Sequence, residues 1–143
     1  MMNTFHLRVL ASDDLFFEGE CDNLVVPCPD GSFGIQARHA NMISAVSPGE
    51  LRYRPADGDQ ASQEQIAAVS SGLVKVENND VLVLVDTAEH PEEIDTNRAR
   101  RAADAAKEAL LQKRSIQEYK VAQYNLARAM SRLRVHSDFE NRR

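Results

Sequence analysis

Hydrophobic and polar residues alternate along the first part of the chain and recur at helical spacing in the second. Phe5, Leu7 and Val9 alternate with polar neighbours, which is typical of a strand with one buried face. Further strand-like runs follow at Leu15–Phe17, Leu24–Val26, Ile66–Val69, Leu73–Val76 and Val81–Val85. The last run is apolar at every position, which predicts a central strand that is buried on both sides.

Turn-forming residues separate these runs at intervals of about ten residues, a spacing that predicts a β-sandwich or barrel. The turn signals are Pro29-Asp30-Gly31, Ser47-Pro48-Gly49, Asp57-Gly58, Ser71-Gly72 and Asn78-Asn79-Asp80. The segment Gly31-Ser32-Phe33-Gly34 lacks the Lys-Ser/Thr and the helix start of a phosphate-binding loop. We therefore interpret it as a hairpin turn.

The pattern changes at Pro91. All six glycines and all five prolines lie at or before this residue, and the 52 residues after it contain neither, which predicts uninterrupted helix. Asp95 is the expected N-cap of a first helix, and a break is expected between Lys113 and Gln117. Because the connection is short, the two helices should be antiparallel. Small and apolar residues mark their facing stripes: Ala99, Ala102 or Ala103, Ala106 and Leu110, then Tyr119, Ala122, Leu126, Ala129 and Leu133.

These patterns predict an α+β protein, with an N-terminal β-sandwich over residues 1–90 and a C-terminal antiparallel α-helical hairpin over residues 91–143. A buried leucine contributes about 1.5–3 kcal/mol, and alanine contributes much less. An alanine-lined hairpin is therefore expected to detach or rearrange at a cost of only about a few kcal/mol. This is the physical requirement for a conformational switch.

Charge is unevenly distributed along the chain. The net charge is −5, with 5 basic and 13 acidic residues up to Ala88 but 12 basic and 9 acidic residues from Glu89 on. The basic part is interleaved with carboxylates and lacks stacking aromatics, so the pattern favours an acidic protein surface or a nucleotide phosphate over nucleic acid. No apolar run approaches the roughly 20 residues that span a bilayer, and the first eight residues lack the apolar core of a secretory signal. We expect neither membrane insertion nor secretion.

No arrangement of reactive side chains predicts catalysis. Cys21 and Cys28 have no nearby ligand partners and are interpreted as small buried hydrophobes. Ser70, Ser71 and Asp86 belong to no nucleophile signature. The histidines are scattered without metal-ligand spacing: His6, His39, His90 and His136. We expect a non-catalytic protein that requires no metal or cofactor.

Arginines provide the one candidate ligand site. The segment Ile94–Ala99 combines a helix start with Arg98, which is a plausible setting for an anion or a nucleotide. Arg128 and Arg132 lie four residues apart on one face of the second helix. In an antiparallel hairpin these three arginines can converge on phosphates. A solvated basic face or a contact with a partner protein explains the same spacing, and the sequence leaves both interpretations open.

Four stretches, in order and spacing, resemble the epsilon subunit of the F-type rotary ATP synthase, and the resemblance extends from Thr4 to Val135. They are Phe5-His6-Leu7-Arg8-Val9; Gly34-Ile35 with His39-Ala40; Ser71–Val76 with Val83–Glu89; and Ile94-Asp95-x-x-Arg98-Ala99 with Arg128-Ala129-x-x-Arg132-Leu133. No single motif is decisive, whereas their combination is specific.

The resemblance implies a non-catalytic central-stalk subunit at the cytoplasmic side of a bacterial membrane. Its sandwich is expected to bind the gamma subunit and the ring of c subunits. Its hairpin is expected to extend towards the catalytic-head subunits and to inhibit ATP hydrolysis. In some bacterial members ATP binds the folded hairpin and favours the non-inhibitory form. The alternative is a stand-alone small nucleotide-sensing module.

The resemblance also assigns candidate residues. For ATP they are Glu89, Ile94, Asp95, Arg98, Ala99, Arg128 and Arg132. For partner contact they are Ser32, Gly34, Arg38 and His39, within a Gly31 to Ala40 region that is expected to face the ring. The chain departs from the family pattern at three places. Ala105 stands where some ATP-binding members carry a basic residue, Gln36-Ala37-Arg38 replaces the usual Pro-Gly before the histidine, and Ser32 replaces a common glutamate.

Overall fold

The computed structural model describes residues 3–12, 14–112 and 115–141. The chain divides into two compact units, Met1–Glu89 and His90–Arg143. The first unit consists of strands and the second of helices. Part of the break predicted between Lys113 and Gln117 lies outside the described residues.

Each predicted run lies in a strand of the first unit, and four further strands, Gly31–Ile35, Met42–Val46, Gly49–Pro55 and Ala88–Glu89, were not predicted. The runs Leu15–Phe17 and Leu24–Val26 belong to one strand of 15 residues, so the prediction of two strands was wrong. The strand continues through Gly19 and through the turn-type pair Asp22-Asn23, where its register against the next paired strand shifts instead of the chain turning. The strands are β1 (Phe5–Ala11), β2 (Asp14–Cys28), β3 (Gly31–Ile35), β4 (Met42–Val46), β5 (Gly49–Pro55), β6 (Gln65–Val69), β7 (Gly72–Glu77), β8 (Asp80–Val85) and β9 (Ala88–Glu89).

The long strand β2 connects the two halves of a sandwich. Hydrogen bonding follows the order β4-β7-β8-β1-β2-β5-β6-β9, with β3 also paired to β2. The register of β2 against β5 shifts between Cys21 and Asn23. The part of β2 before this shift pairs with β1, and the part after it pairs with β5 and β3. Such an irregularity bends a strand, so the two halves of the sheet can face each other. Both halves contribute to one core, which includes Phe5, Leu7, Val9, Leu24, Val26, Ile35, Leu51, Tyr53, Val74 and Val83.

Strand β8 occupies the predicted central position but is buried on one side only. It pairs with β1 in parallel and with β7 in antiparallel orientation. Val81, Val83 and Val85 are buried, whereas Leu84 is 41% exposed. The prediction of burial on both sides was therefore wrong, because apolar residues at consecutive positions supply two faces and a two-layer sandwich covers only the inner one.

The turn before β3 is shorter than predicted. Cys28 lies opposite Gly31, so the loop of this hairpin is Pro29-Asp30. Gly31 has φ 117°, a conformation that glycine adopts without steric cost. The prediction that Gly31–Gly34 forms the turn was wrong, because these residues form strand β3.

The second unit contains a 3₁₀ turn at Pro91–Glu93 and the helices α1 (Thr96–Leu111) and α2 (Ile116–Asn141). Asp95 is the N-cap of α1, and its carboxylate Oδ1 accepts a hydrogen bond of 3.0 Å from the Arg98 N–H. This prediction is confirmed. Seven residues of the two helices are buried. Two are Ser131 and Val135, and the other five are alanines, called the alanine seam below: Ala99, Ala103, Ala106, Ala122 and Ala129.

A capping signal at the start of α2 was overlooked in the sequence. Ser115 Oγ accepts a hydrogen bond of 3.2 Å from the Glu118 N–H. The pattern Ser115-x-x-Glu118 is that of a capping box, which favours helix initiation. Neither helix in the described part of the chain has a window apolar enough to cross a bilayer.

Candidate functional sites on the two units

The hairpin unit contains an open groove beside the alanine seam, called the hairpin groove below. Its volume is about 760 Å³, within the range of roughly 300–1,000 Å³ typical of small-molecule sites. Apart from Arg98, the α1 wall consists of alanines, which leave the space that longer side chains would fill. The α1 lining is Arg98, Ala102, Ala105, Ala106 and Ala109, and the α2 lining includes Glu118, Val121, Asn125, Arg128 and Arg132.

The groove brings together the three arginines that the spacing singled out. Arg98 lies in the first turn of α1, whereas Arg128 and Arg132 lie late in α2. Near the other end of the groove, Ala109 of α1 and Gln117 of α2 line it together. The helices therefore run antiparallel, and one end of the groove carries three guanidinium groups. Guanidinium groups bind phosphate and carboxylate through paired hydrogen bonds.

The other candidate ATP residues do not line this groove. Ile94 and Ala99 are buried, and Ala99 belongs to the alanine seam. Asp95 caps α1, and Glu89 lies in the short strand β9 of the first unit. Hydrogen bonding by the backbone N–H of Arg98 and the positive charge of nearby Arg101 lower the pKa of Asp95, despite an opposing desolvation effect. Its carboxylate is therefore committed to the helix start.

Sequence reasoning missed the middle of the α2 wall. Glu118, Val121, Asn125, Arg128 and Arg132 follow one another at alternating spacings of three and four residues. Residues at this spacing share one face of a helix. The same spacing, followed from Arg128 towards the start of α2, leads to Asn125, Val121 and Glu118.

The sandwich unit has a second candidate site on the outer face of one sheet. Five apolar residues, called the outer stripe below, lie side by side across five strands. Ala45 pairs with Leu73, Leu73 with Leu84, Leu84 with Leu10, and Leu10 with Leu15. Leu15, Leu73 and Leu84 are 55%, 50% and 41% exposed. Paired residues in a sheet have Cβ atoms about 4.5–5.5 Å apart, so this stripe is continuous.

The stripe has an apolar neighbour and a charged border on the same sheet face. Ile43, two residues before Ala45 on β4, is 69% exposed. Further along the face, carboxylates lie beside polar nitrogen atoms: His6 Nε2 lies 2.8 Å from Glu18 Oε2, and Lys75 Nζ lies 3.2 Å from Glu77 Oε2. An apolar centre with a polar border is the usual composition of a protein interface.

A strained turn at residues 36–41 lies beside the loop between β7 and β8. Arg38 is exposed and has φ 65°, a left-handed conformation that costs a non-glycine residue on the order of 1 kcal/mol. The Arg38 N–H donates a hydrogen bond of 2.7 Å to Asn79 Oδ1, and the Asn78 N–H donates one of 2.9 Å to Asn41 Oδ1. The turn is therefore fixed to the loop between β7 and β8.

Known proteins match this architecture over nearly the whole chain. Residues 4–91 match the family described as the beta-sandwich domain of the ATP synthase delta/epsilon chain, and residues 92–137 match the family of its long alpha-helix domain. The chain belongs to the ATP synthase epsilon chain family. The ATP synthase epsilon chain of Ruminiclostridium cellulolyticum is 45% identical over 132 residues, which cover 92% of this chain and 95% of the relative. That of Caldanaerobacter subterraneus subsp. tengcongensis is 36% identical over 98% of this chain and 99% of its own length.

Solved structures support the same fold. A chain of the Euglena gracilis mitochondrial ATP synthase, in a structure described as OSCP/F1/c-ring, superposes with a TM-score of 0.75 at 17% identity, covering 90% of this chain and 79% of that one. A chain of the Tetrahymena thermophila enzyme, described as central stalk/c-ring, superposes with a TM-score of 0.62 at 16% identity and covers 94% of both chains. Both likenesses show the same fold, a beta-sandwich followed by a helical hairpin.

Two departures from the epsilon family pattern have a structural consequence here. Ala105 lines the hairpin groove, so a basic residue at this position would add a charge to the groove wall. Arg38 adopts the left-handed conformation at a position where the family pattern has glycine, which explains the glycine of the pattern.

Cys21 is fully buried, and burial, reinforced by Asp22, Glu20 and Asp57, raises the pKa of its thiol to about 12. Such a thiol is unreactive at neutral pH. No group of three or more metal-ligating side chains occurs within residues 3–12, 14–112 and 115–141.

Proposed function

We propose that this epsilon subunit is a non-catalytic rotor component that joins the catalytic head to the membrane ring and regulates ATP hydrolysis. The sandwich docks on the gamma subunit, and its β3 region, with Ser32 and Gly34 exposed, faces the ring of c subunits. The assembly is peripheral and lies at the cytoplasmic side of the bacterial membrane. The two structural relatives named for the c-ring and central stalk support this assignment.

The outer stripe is the observation that carries the docking proposal. Leu73, Leu84 and Leu15 are large apolar side chains about half exposed in the isolated chain. Apolar surface that a partner covers contributes roughly 25 cal/mol per Å² to the free energy of binding. A continuous apolar row across five strands suits an elongated partner such as a helical shaft, because the contact can extend along one direction.

A charge placed in the stripe tests this docking. We expect Leu73→Asp to abolish binding to a catalytic head that contains gamma but lacks this subunit, since an unpaired carboxylate would be buried in the contact. The matched control is Gln63→Asp, which adds the same charge at an exposed position away from the sheet face. Co-elution by size exclusion gives the readout. Binding by Leu73→Asp at the strength of the wild-type chain would contradict the docking proposal.

The hairpin is proposed to be the regulatory element, with a docked form that permits hydrolysis and an extended form that inhibits it. The alanine seam supports this proposal, because it buries small side chains and so holds the helices together weakly. In the extended form, the arginines of α2 would contact acidic surface on the catalytic-head subunits.

Removal of the hairpin tests its regulatory role. A truncated chain that ends at Glu93 should still co-purify with the complex. The complex that contains the truncated chain should hydrolyse ATP faster than the complex that contains the full chain. Unchanged hydrolysis by an assembled complex would contradict inhibition by the hairpin. If neither form enters the complex, the alternative of a stand-alone nucleotide-sensing module is favoured.

We further propose that the hairpin groove binds ATP through its three arginines. Their convergence at one end of a groove of about 760 Å³ supports this proposal. Bound nucleotide would shift the equilibrium towards the docked hairpin only by the difference between its binding free energies for the docked and the extended form. At a ligand concentration equal to the dissociation constant this amounts to about 0.4 kcal/mol, so the two forms must be nearly balanced.

Calorimetric titration of the full chain with ATP tests the site. We expect saturable binding that is lost in Arg98→Ala and in Arg128→Ala but kept in Arg100→Ala, which removes an exposed arginine outside the groove lining. Ala105→Arg should tighten binding about tenfold, since a charged hydrogen bond contributes about 1.5–3 kcal/mol. No binding up to several millimolar ATP would assign the arginines to protein contacts instead.

A further inference from the structure

We propose that Ser131 is a built-in destabilising residue of the hairpin, whose buried hydroxyl lowers the free energy needed to release α2 from its docked position. This inference rests on the proposed regulatory role of the hairpin and names a residue that adjusts the balance between its two forms. The effect requires no ligand or partner, because it arises within the chain.

The first support is the environment of the Ser131 hydroxyl. Ser131 is 1% exposed, and its Oγ forms no hydrogen bond with any residue in the described part of the chain. A serine within a helix can donate to the carbonyl four residues earlier, which is that of Ala127 here, but Ser131 Oγ does not use it. A hydroxyl that is buried without a partner gives up its hydrogen bonds to water and receives none in return. It therefore destabilises the form in which it is buried.

The second support is a comparison with a buried serine of the sandwich. Ser70 is also 1% exposed, but its Oγ accepts a hydrogen bond of 2.8 Å from the Thr87 N–H and donates one of 3.4 Å to the Thr87 carbonyl. The sandwich thus satisfies its buried hydroxyl, whereas the hairpin does not. Because most buried polar side chains in folded proteins have a partner, the exception at Ser131 requires an explanation.

The third support is the position of Ser131 on α2, on a face separate from the alanine seam. Ser131 follows Ala129 by two residues, which is a rotation of about 200° around a helix of 3.6 residues per turn. Val135 is 3% exposed and shares this second face, since it follows Ser131 by four residues. The turn at Pro91–Glu93 also packs against α2. Helix α2 is therefore buried on two faces, and Ser131 places a polar atom in the second one.

The consequence is a penalty that applies to the docked hairpin alone. When α2 leaves its docked position, water can form hydrogen bonds with the Ser131 hydroxyl, so the extended form does not carry the penalty. The proposed ATP response requires two forms that are nearly balanced, because a bound ligand shifts the equilibrium only modestly. A buried hydroxyl without a partner brings the docked form closer to that balance.

The test compares serine-to-alanine variants of the full chain by hydrogen exchange at neutral pH. Ser131→Ala removes the buried hydroxyl, and the matched control Ser137→Ala removes an exposed one from the same helix. Both variants introduce the best helix former, so the difference between them does not depend on helix propensity. Ser70→Ala removes the satisfied hydroxyl of the sandwich.

We expect the amides of α2 to exchange about tenfold more slowly in Ser131→Ala than in Ser137→Ala, because removal of an unsatisfied buried group stabilises the docked form. Ser70→Ala should have the opposite sign. Amides of the sandwich strands should exchange faster in this variant than in the wild-type chain, since the Thr87 N–H loses its acceptor.

ATP hydrolysis by the assembled complex gives the second readout. Hydrolysis should be faster with Ser131→Ala than with Ser137→Ala, by less than about twofold. A tenfold shift from near balance raises the docked fraction only from about one half to about nine tenths.

Equal or faster exchange of α2 in Ser131→Ala than in Ser137→Ala would overturn the inference, since the hydroxyl would then have a partner that stabilises it. This result would leave the regulatory proposal intact, because the truncated chain tests that proposal independently. Slower exchange combined with unchanged hydrolysis would confirm that Ser131 destabilises the hairpin and would overturn its role in regulation.

Discussion

The two units of this chain bury different kinds of side chain. The sandwich core contains phenylalanine, leucine, isoleucine, tyrosine and valine, whereas five of the seven buried residues in the two helices are alanines and only Val135 is a larger aliphatic one. Each large aliphatic side chain contributes about 1.5–3 kcal/mol on burial, and a methyl group contributes roughly 0.8. We therefore expect the helical hairpin to open at a lower free energy than the sandwich.

The largest expected effect comes from the sandwich core. Leu7 is fully buried between the two halves of the sheet, and Leu7→Ala should destabilise the sandwich by about 2–5 kcal/mol because it leaves a cavity. Urea denaturation followed by circular dichroism measures this loss. Leu111→Ala is the control, since Leu111 is 84% exposed and should change stability by less than about 0.5 kcal/mol. Equal effects of the two substitutions would contradict the assignment of the core.

Overpacking the alanine seam should have the next largest effect, confined to the hairpin. Ala103 is 3% exposed, and Ala103→Leu forces a large side chain between the helices at a cost of about 1–3 kcal/mol. We expect faster hydrogen exchange in α1 and α2 and unchanged exchange in the sandwich strands. Ala102→Leu is the matched control, because Ala102 lines the open groove and is exposed. If Ala103→Leu also accelerates exchange in the strands, the two units do not open separately.

Alkaline pH should weaken the sandwich. Burial raises the pKa of Cys21 from its ordinary value of 9.0 to about 12, so the folded state holds the thiol proton more tightly than the unfolded state. The resulting stabilisation is complete below about pH 9 and is lost as the pH rises towards 12. Burial likewise raises the pKa of Tyr53 from 10.0 to about 12. As the pH rises from 9 to 12, the melting temperature should therefore fall less steeply in Cys21→Ala than in Cys28→Ala. Parallel curves of melting temperature against pH would contradict the assignment of this effect to the Cys21 thiol.

Acid should weaken the hairpin, by the smallest of these effects. The hydrogen bond from Arg98 N–H lowers the pKa of Asp95 from its ordinary value of 3.8. The carboxylate therefore stabilises α1 above about pH 4, and this contribution is lost as the pH falls through the lowered pKa. Asp95→Ala should reduce the helix content at neutral pH, and Asp95→Asn, which keeps a capping oxygen, should restore most of it. A loss of equal size in both variants would exclude the cap as the cause.

Local signals in the sequence predicted most of the fold. The Gly and Pro residues before Pro91 separate the strands, and Asp95 and the alanine spacing define α1. The separation of Leu15–Phe17 from Leu24–Val26 was wrong, because the bend in β2 comes from a register shift rather than from turn residues. The shift arises in the pairing of β2 with β5, two strands that are distant in the sequence, so the residues of β2 alone do not show it.

The candidate sites were predictable in part. The spacing of Arg128 and Arg132 indicated a shared face, and the antiparallel hairpin brings Arg98 to the same groove. The outer stripe was not predicted, although Leu84 gave a signal in the all-apolar run of β8. An apolar residue on the second face of a strand can be covered by another layer of the same protein or can be exposed to a partner. The sequence does not distinguish these two cases, whereas the strand topology does.

Hydrogen exchange of the full-length chain at neutral pH tests the central claim most directly, since it reports the opening free energy of each amide. The alanine seam predicts that the amides of α1 and α2 exchange through an opening that costs only about a few kcal/mol, whereas those of β1, β2 and β8 exchange only on global unfolding of the sandwich. One common opening free energy for both sets of amides would contradict the separation of a rigid docking unit from a switchable hairpin.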